Sequence, residues 1–172
     1  MYKLNLGCGD NLLEGYVNID KYDKAADVRL DITNLDPYAD KSVDEIVAYQ
    51  VIEHVPYNES NQMFREMHRV LKPGGFAIVE TPDIEYVARA ILKEGLEDKW
   101  IWNLVGQYYR PWDKERYDDW EMNAASIHRN PWTFERLRRV CEPIGFRLER
   151  IEEVSQMMSK FEENLAVRLI KL

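Results

Sequence analysis

Short apolar segments alternate with amphipathic segments along most of this 172-residue chain. The apolar segments have the length of strands, and they predict strands over residues 2–6, 16–20, 28–32, 44–49, 76–80, 146–154 and 165–172. Apolar residues recur elsewhere at intervals of three and four, which predicts helices over residues 58–72, 83–95 and 133–144. Strands that alternate with helices favour a mostly parallel sheet with helices on both faces.

The last two predicted strands are an exception to this alternation. They are joined by about ten residues without a helical pattern, which is too short for a parallel crossover. The expected fold is therefore an α/β, Rossmann-like open sheet, mostly parallel with an antiparallel C-terminal strand. No repeat or composition break divides the chain, so residues 1–172 are predicted to form a single domain. An aromatic-rich insertion at about 96–132 holds all five tryptophans.

Composition limits the partners that such a protein would bind. A net charge of −8 disfavours nucleic acid, because affinity for phosphates depends on lysine and arginine. The chain has no apolar run near the roughly 20 residues of a membrane-spanning helix and no secretory leader. Its two cysteines, Cys8 and Cys141, offer neither a disulfide framework nor a zinc spacing. We therefore expect a cytoplasmic protein without a metal, and the oligomeric state stays open.

Polar or glycine residues follow each of the first four predicted strands. Gly7-Cys8-Gly9 follows the first strand, Asp20 ends the second, Asp31-Ile32 ends the third, and Tyr49 to His54 follow the fourth. Open α/β sheets bind ligands outside the carboxyl ends of their strands. Glycine lets a backbone approach a ligand closely, and a carboxylate can accept hydrogen bonds from ribose hydroxyls or an exocyclic amine. Each feature alone is also typical of a turn, but their shared position predicts one nucleotide-type site.

These segments together resemble the type 11 family of class I S-adenosylmethionine-dependent methyltransferases. The resemblance is close over residues 2–82 and looser beyond. The sequences that carry it are LNLGCG at 4–9, VNID at 17–20, DI at 31–32, VDEIV at 43–47, IEHV at 52–55 and RVLKPGG at 69–75.

The resemblance implies S-adenosyl-L-methionine as the cofactor. The Gly7-Cys8-Gly9 backbone would pass beneath its methionine and ribose, Asp20 would hold the ribose diol, and Asp31 with Ile32 would hold the adenine. Gln50 would face the methionine moiety.

Two features depart from the family pattern. Asn5 stands where the family often has aspartate, so a neutral amide would replace the charged anchor for the cofactor's amino group. The segment between Gly9 and Asp20 is also unusually short.

Three side chains are candidates for a general base, which would assist transfer to a hydroxyl. His54 is the first, because it follows the fourth strand and histidine titrates near neutrality. His128 and Glu53 are the second and third. The alternative role for His54 is structural: a hydrogen-bonded residue that holds its loop in place. The tryptophan-rich stretch likewise has two interpretations, a satellite core or part of an acceptor pocket.

The predicted function is methyl transfer to a small-molecule acceptor, such as a hydroxyl of a sugar or another metabolite. The alternative is a catalytically silent cofactor-binding subunit that activates or scaffolds a partner enzyme. A nicotinamide-dependent oxidoreductase is disfavoured, because Leu12 stands where the third glycine of G-x-G-x-x-G belongs.

Overall fold

A computed structural model describes residues 1–105, 127–151 and 164–172. The strands are β1 (Lys3–Leu6), β2 (Val17–Asp20), β3 (Val28–Arg29), β4 (Val43–Tyr49), β5 (Leu71–Pro82), β6 (Phe146–Arg150) and β7 (Asn164–Lys171). The helices are α1 (Tyr57–Val70), α2 (Ile84–Glu94), α3 (Asp98–Val105) and α4 (Phe134–Cys141), followed by a 3₁₀ turn at Glu142–Ile144. Among these helices, none combines the length and apolar character needed to span a bilayer.

The seven strands form one sheet in the order β3-β2-β1-β4-β5-β7-β6. The pairs among β1 to β5 are parallel, whereas β7 runs antiparallel to both β5 and β6. The predicted fold class, a mostly parallel Rossmann-like sheet with an antiparallel C-terminal strand, is confirmed. The residues predicted to join the last two strands lie mostly outside the described part of the chain.

The main core lies on one face of the sheet, the face to which Leu4 and every second residue from it point. Leu4 of β1 is level with Val17 and Ile46 in the neighbouring strands, so their side chains point to the same face. The predicted apolar stripe of α1 covers this face, with Met63 and Met67 fully buried. Helix α4 and Trp132 complete the same cluster.

The connections on either side of β2 contain no helix. Residues 7–16 form turns, so the one or two helical turns considered possible from the sequence near residues 11–15 are absent. A buried pair of amides joins the strands here: Asn5 Nδ2 donates to Asn18 Oδ1 at 2.9 Å, and the two residues are level in β1 and β2. Asn18 also accepts from the backbone N–H of Leu13, which fixes the long turn against the sheet. Hydrogen bonds, and not a packed helix, thus hold the connection between β1 and β2 against the sheet.

Two element boundaries differ from the prediction. Helix α1 ends at Val70, and the following Leu71 already pairs with Val43 of β4 before a register shift. The KPGG segment at 72–75 therefore belongs to a bulged strand and does not simply separate a helix from a strand. Strand β3 is shorter than predicted, so Asp31 lies in the turn that follows it.

Helix α2 begins as predicted, because the Asp83 side chain accepts from the backbone N–H of Glu85. Its buried face consists of Val87 and Ala90, which pack with Trp100 of α3 in a separate small cluster. Leu92, which the sequence pattern placed in the apolar stripe, is 88% exposed. Most of the predicted aromatic insertion, residues 106–126, lies outside the described residues. The two interpretations of this stretch, a satellite core or part of an acceptor pocket, therefore stay predictions for Trp112 and Trp120.

Removal of the cap of α4 should destabilise the protein. The Thr133 hydroxyl accepts from the backbone N–H of Arg136, and it caps a helix whose Leu137 and Cys141 are fully buried. Thr133→Ala should lower the free energy of unfolding by about 1 kcal/mol in a urea titration. Thr133→Ser keeps the hydroxyl and should stay within a few tenths of the parent. Equal losses in both variants would contradict the cap.

Candidate functional site

The carboxyl ends of the parallel strands open onto one cavity of about 390 Å³. Seven of the residues singled out in the sequence line it: Gly7, Gly9, Asp20, Asp31, Ile32, Gln50 and His54. These residues come from four separate strand ends, and the parallel register of β1 with β2 and β4 brings them to the same rim. The volume lies within the usual range for small-molecule and cofactor sites.

The turn after β1 depends on glycine. Gly7 has a φ of +64°, a conformation that side chains with a Cβ rarely adopt. A Cβ built on Gly7 would come within 2.1 Å of Cγ2 of Val51, the residue that follows Gln50 on the neighbouring strand end. The absence of a side chain at position 7 therefore allows two strand ends to approach each other at the cavity wall.

Asp20 organises the rim with its carboxylate. One oxygen accepts from the backbone N–H of Gly9 at 3.0 Å, and the other accepts from those of Tyr22 and Asp23 at 2.8 and 2.9 Å. Three N–H donors leave acceptor capacity on a carboxylate, which has about four lone-pair sites. A half-buried Asp20 at the cavity surface can thus accept further hydrogen bonds from a ligand.

Asp31 faces the same cavity but already has a cationic partner. Its Oδ2 lies 2.8 Å from Lys21 Nζ, and its Oδ1 accepts from both the backbone N–H and the hydroxyl of Thr33. Burial alone would raise the pKa of Asp31, but Lys21 and the Thr33 bonds outweigh it and hold the pKa below its usual range. Asp31 is therefore an ionised acceptor, and a ligand amine would share it with Lys21.

Gln50 directly follows β4 and has a left-handed conformation, with a φ of +53°. Such strain in a residue other than glycine persists only where the surroundings enforce it. Here Glu80 of β5 does so, because its backbone carbonyl accepts from the Gln50 N–H and its Oε1 accepts from Gln50 Nε2. The side chain of Gln50 is thereby fixed at the cavity wall.

Two predicted cofactor residues are buried beside the cavity and are not among the described residues that line it. The Asn5 amide is engaged with Asn11 and Asn18, so its role toward a cofactor amino group stays a prediction. Cys8 is 5% exposed, and burial together with the charge of Asp20 raises its pKa to about 12. The thiol is therefore protonated, and Cys8 contributes through its backbone, whose N–H donates to the carbonyl of Ile19.

The three candidates for a general base lie together. His54 Nε2 and His128 Nε2 are each 4.0 Å from Glu53 Oε1, and the two imidazole rings lie 5.0 Å apart. His54 lines the cavity, whereas Glu53 is buried beside it, with 2% of its side chain exposed. The sequence named these residues separately, and the structure brings all three into one cluster.

Hydrogen bonds from the loop before Trp132 hold this cluster against the end of β4. The carbonyl of Ile127 lies 3.2 Å from His54 Nδ1, and the backbone N–H groups of Arg129 and Asn130 donate to the carbonyl of Glu53. Trp132 Nε1 donates to the carbonyl of Ile52. The position of His54 is therefore set by a segment more than seventy residues away in the sequence.

Burial shifts the pKa of each member of the cluster toward the neutral form. It lowers the pKa of His54 to about 4, with a further contribution from His128, and it also lowers the pKa of His128. Burial raises the pKa of Glu53 to about 8. Both imidazoles are therefore neutral at pH 7 and have a lone pair available.

Several cavity residues were not predicted from the sequence. Lys21 and Tyr22 directly follow Asp20, so their position after a strand end was a usable signal. Arg129 reaches the cavity from the loop that also carries His128, and no local pattern marks it. The lining contains more acidic than basic side chains: Asp20, Asp23, Asp31 and Glu59 against Lys21 and Arg129.

This lining fits the cofactor implied by the sequence. Carboxylates at two strand ends match hydroxyl and amino donors, Ile32 and Val51 offer apolar surface for a base, and the acidic excess suits a cationic sulfonium. The strand order and a glycine turn beside an acidic strand end are those of an open α/β sheet that binds a nucleotide-type ligand.

Comparison with known proteins finds a family match over part of the chain. Residues 8–79 match a family model described as a methyltransferase domain, the type 11 family. No curated protein matches the chain. This match covers residues 8–79 of the 172-residue chain, and it indicates an S-adenosylmethionine-dependent methyltransferase.

Solved structures show the same fold at low sequence identity, and each of the following covers 99% of this chain. A methyltransferase from Archaeoglobus fulgidus has a TM-score of 0.63 at 16% identity, with 86% of that chain covered. One from Mesorhizobium loti has 0.61 at 18% identity and 90% coverage. One from Methanosarcina mazei has 0.62 at 16% identity and 92% coverage.

The close approach of Gly7 and Val51 can be tested by a double-mutant cycle. Gly7→Ala should lower the free energy of unfolding by about 1–3 kcal/mol, because it adds both backbone strain and overpacking. In a Val51→Ala background the clashes with the two Cγ atoms are gone and only the approach to Cβ at 2.7 Å remains, so the same substitution should cost at least about 0.5 kcal/mol less. Additive losses, measured by urea titration, would contradict the contact.

Proposed function

We propose that this protein transfers the methyl group of S-adenosylmethionine to a hydroxyl of a small-molecule acceptor, with His54 as the proton acceptor. The observation that carries the proposal is the position of His54. It lines the same cavity as the strand-end carboxylates, and its ring is oriented by a backbone carbonyl. The cofactor supplies a methyl group already activated by a sulfonium, so the protein has mainly to position the acceptor.

The cofactor residues in this proposal are those at the rim of the sheet. Asp20 would accept from the ribose hydroxyls, and Asp31 with Ile32 would hold the adenine. The fixed amide of Gln50 would face the methionine portion. What supports these roles is their shared exposure to one cavity together with the match of residues 8–79 to the methyltransferase domain.

His54 has the tautomer that a base needs. A carbonyl oxygen only accepts, so Nδ1 carries the proton in the contact with Ile127, and Nε2 keeps its lone pair. The neutral imidazole can then accept the hydroxyl proton as the oxygen attacks the methyl carbon. The buried Glu53, 4.0 Å away, would favour the imidazolium when it is itself ionised.

A small acceptor is favoured by the size and charge of the cavity. About 390 Å³ must hold the cofactor and the reacting part of the acceptor, which leaves little room for a bulky group. The acidic excess of the lining and the net charge of −8 disfavour a phosphate-rich polymer.

The role of Asp20 predicts a loss of cofactor affinity on substitution. Asp20→Ala should weaken binding of S-adenosylhomocysteine by roughly 1–3 kcal/mol, the cost of losing hydrogen bonds to a charged group. Calorimetric titration measures this, with circular dichroism to verify the fold. Asp36→Ala, which removes an exposed carboxylate outside the cavity, is the matched control and should bind as the parent does. Parent-like affinity of Asp20→Ala would refute the assignment.

The role of His54 predicts a different pattern, in which turnover falls and cofactor affinity is kept. Among hydroxylated compounds, one that the parent methylates should be methylated at least about 100-fold more slowly by His54→Ala. His54→Asn, whose amide N–H can still reach the Ile127 carbonyl, should be similarly slow. Parent-like rates in His54→Asn would show that His54 only holds its loop. A parent that binds S-adenosylhomocysteine but methylates none of the compounds would favour the silent-subunit alternative.

A further inference from the structure

Glu53, His54 and His128 bring three possible metal-ligand atoms close together. Their candidate ligand atoms lie within 4.8 Å of one another, and both Nε2 atoms lie 4.0 Å from Glu53 Oε1. These separations are too long for direct hydrogen bonds. The three groups therefore face one another without bonding to one another.

Both histidines are held in the same tautomer. The carbonyl of Ile127 lies 3.2 Å from His54 Nδ1, and the carbonyl of Asn103 lies 2.9 Å from His128 Nδ1. Since a carbonyl cannot donate, both Nδ1 atoms carry protons and both Nε2 lone pairs are available. Histidines that bind metal through Nε2 are commonly fixed by such an Nδ1–H bond to a backbone carbonyl.

The carboxylate of Glu53 supplies an independent sign of a missing partner. Glu53 is 2% exposed, and within the described part of the chain neither of its oxygens accepts a hydrogen bond. A buried carboxyl group without a hydrogen-bond partner is costly, and binding of a metal ion is one way in which such a group is satisfied. Two imidazole Nε2 atoms face this carboxyl group, and burial raises its pKa by more than the nearby Thr81 hydroxyl lowers it.

We propose that Glu53, His54 and His128 form a binding site for a divalent transition metal ion such as Zn²⁺. Two imidazoles and one carboxylate are a known ligand set for this ion, and they leave a fourth position for water or another ligand. Tetrahedral coordination at about 2.1 Å would place the ligand atoms roughly 3.4 Å apart, so the two 4.0 Å separations must close by roughly 0.6 Å, and the largest separation within the 4.8 Å cluster by up to roughly 1.4 Å. Small side-chain rotations supply such a movement. Mg²⁺ and Ca²⁺ prefer oxygen ligands and fit this set poorly.

The sequence predicted no metal, because the cysteines and histidines have no zinc spacing. Here the ligands come from two loops far apart in the chain, and backbone hydrogen bonds from Arg129 and Asn130 to the Glu53 carbonyl join those loops. The inference rests on this cluster and not on the proposed acceptor chemistry. It does have one consequence for that chemistry, since the ion and a hydroxyl proton would compete for the lone pair of His54.

Binding can be measured on the full chain without an acceptor or turnover. Competition with a chromogenic chelator should show one Zn²⁺ per chain, with a Kd of roughly 1 µM or below. Co²⁺ should give the visible absorption of a tetrahedral site, and excess Mg²⁺ should displace neither ion. A Kd near 1 mM or an octahedral Co²⁺ spectrum would overturn the proposal.

Substitutions locate the ion. Glu53→Gln, which replaces the carboxylate by a neutral group of the same shape, and His128→Ala should each raise the Kd for Zn²⁺ at least tenfold. S-adenosylhomocysteine affinity should stay within twofold in both, because neither residue lines the cavity. His68→Ala is the matched control, since it removes the only other histidine of the chain and that ring packs on Phe146.

Two results would place the ion elsewhere and refute the site: parent-like Zn²⁺ affinity in Glu53→Gln and His128→Ala, or an equal loss in His68→Ala. If either variant fails to fold, anomalous diffraction at the zinc edge from crystals of the unsubstituted protein decides. A peak between His54 and His128 supports the proposal, and a peak only at other positions overturns it.

Discussion

The parallel pairing of β1 between β2 and β4 is the constraint on which the site depends. Its register sets Leu6 level with Ile19 and Asn5 level with Val47, so three strands end at nearly the same height. Gly7, Asp20 and Gln50 are the residues that follow or end these strands. A shift of one residue in either pairing would turn the carboxylate or the amide away from the cavity, because successive side chains point to opposite faces.

The cavity rim formed by Gly7, Asp20 and Asp31 was largely predictable from the sequence. Glycines after a strand and a carboxylate at a strand end are local signals, and the strand–helix alternation is enough to place them at one edge of a sheet. The left-handed Gln50 was not predictable, because Glu80 of the neighbouring strand enforces it. The sequence indicated the missing helix before β2 only through the short segment between Gly9 and Asp20. The buried hydrogen bond between Asn5 and Asn18 could not be predicted, because it depends on the register of β1 with β2.

The cluster of Glu53, His54 and His128 was predictable only as three separate candidate residues. Nothing local in the sequence places His128 beside Glu53, since the contact depends on how the loop at 127–132 packs against the end of β4. The same holds for the burial of Glu53, which follows from that packing and not from its neighbours in the chain. The residue types thus indicated a possible general base, whereas the distances between these residues depend on tertiary packing.

The loop at 127–132 is bonded to residues 52–54 through Ile127, Arg129, Asn130 and Trp132, yet it adds only Arg129 to the rim that carries the two strand-end aspartates. Substitutions in the loop at 127–132 and substitutions at the rim with Asp20 and Asp31 can therefore have separate effects. Substitutions in the loop at 127–132 would reposition the His54 imidazole, while the contacts of Asp20 and Asp31 stay intact. Under the proposed function, the choice of acceptor can then change while binding of the cofactor is kept.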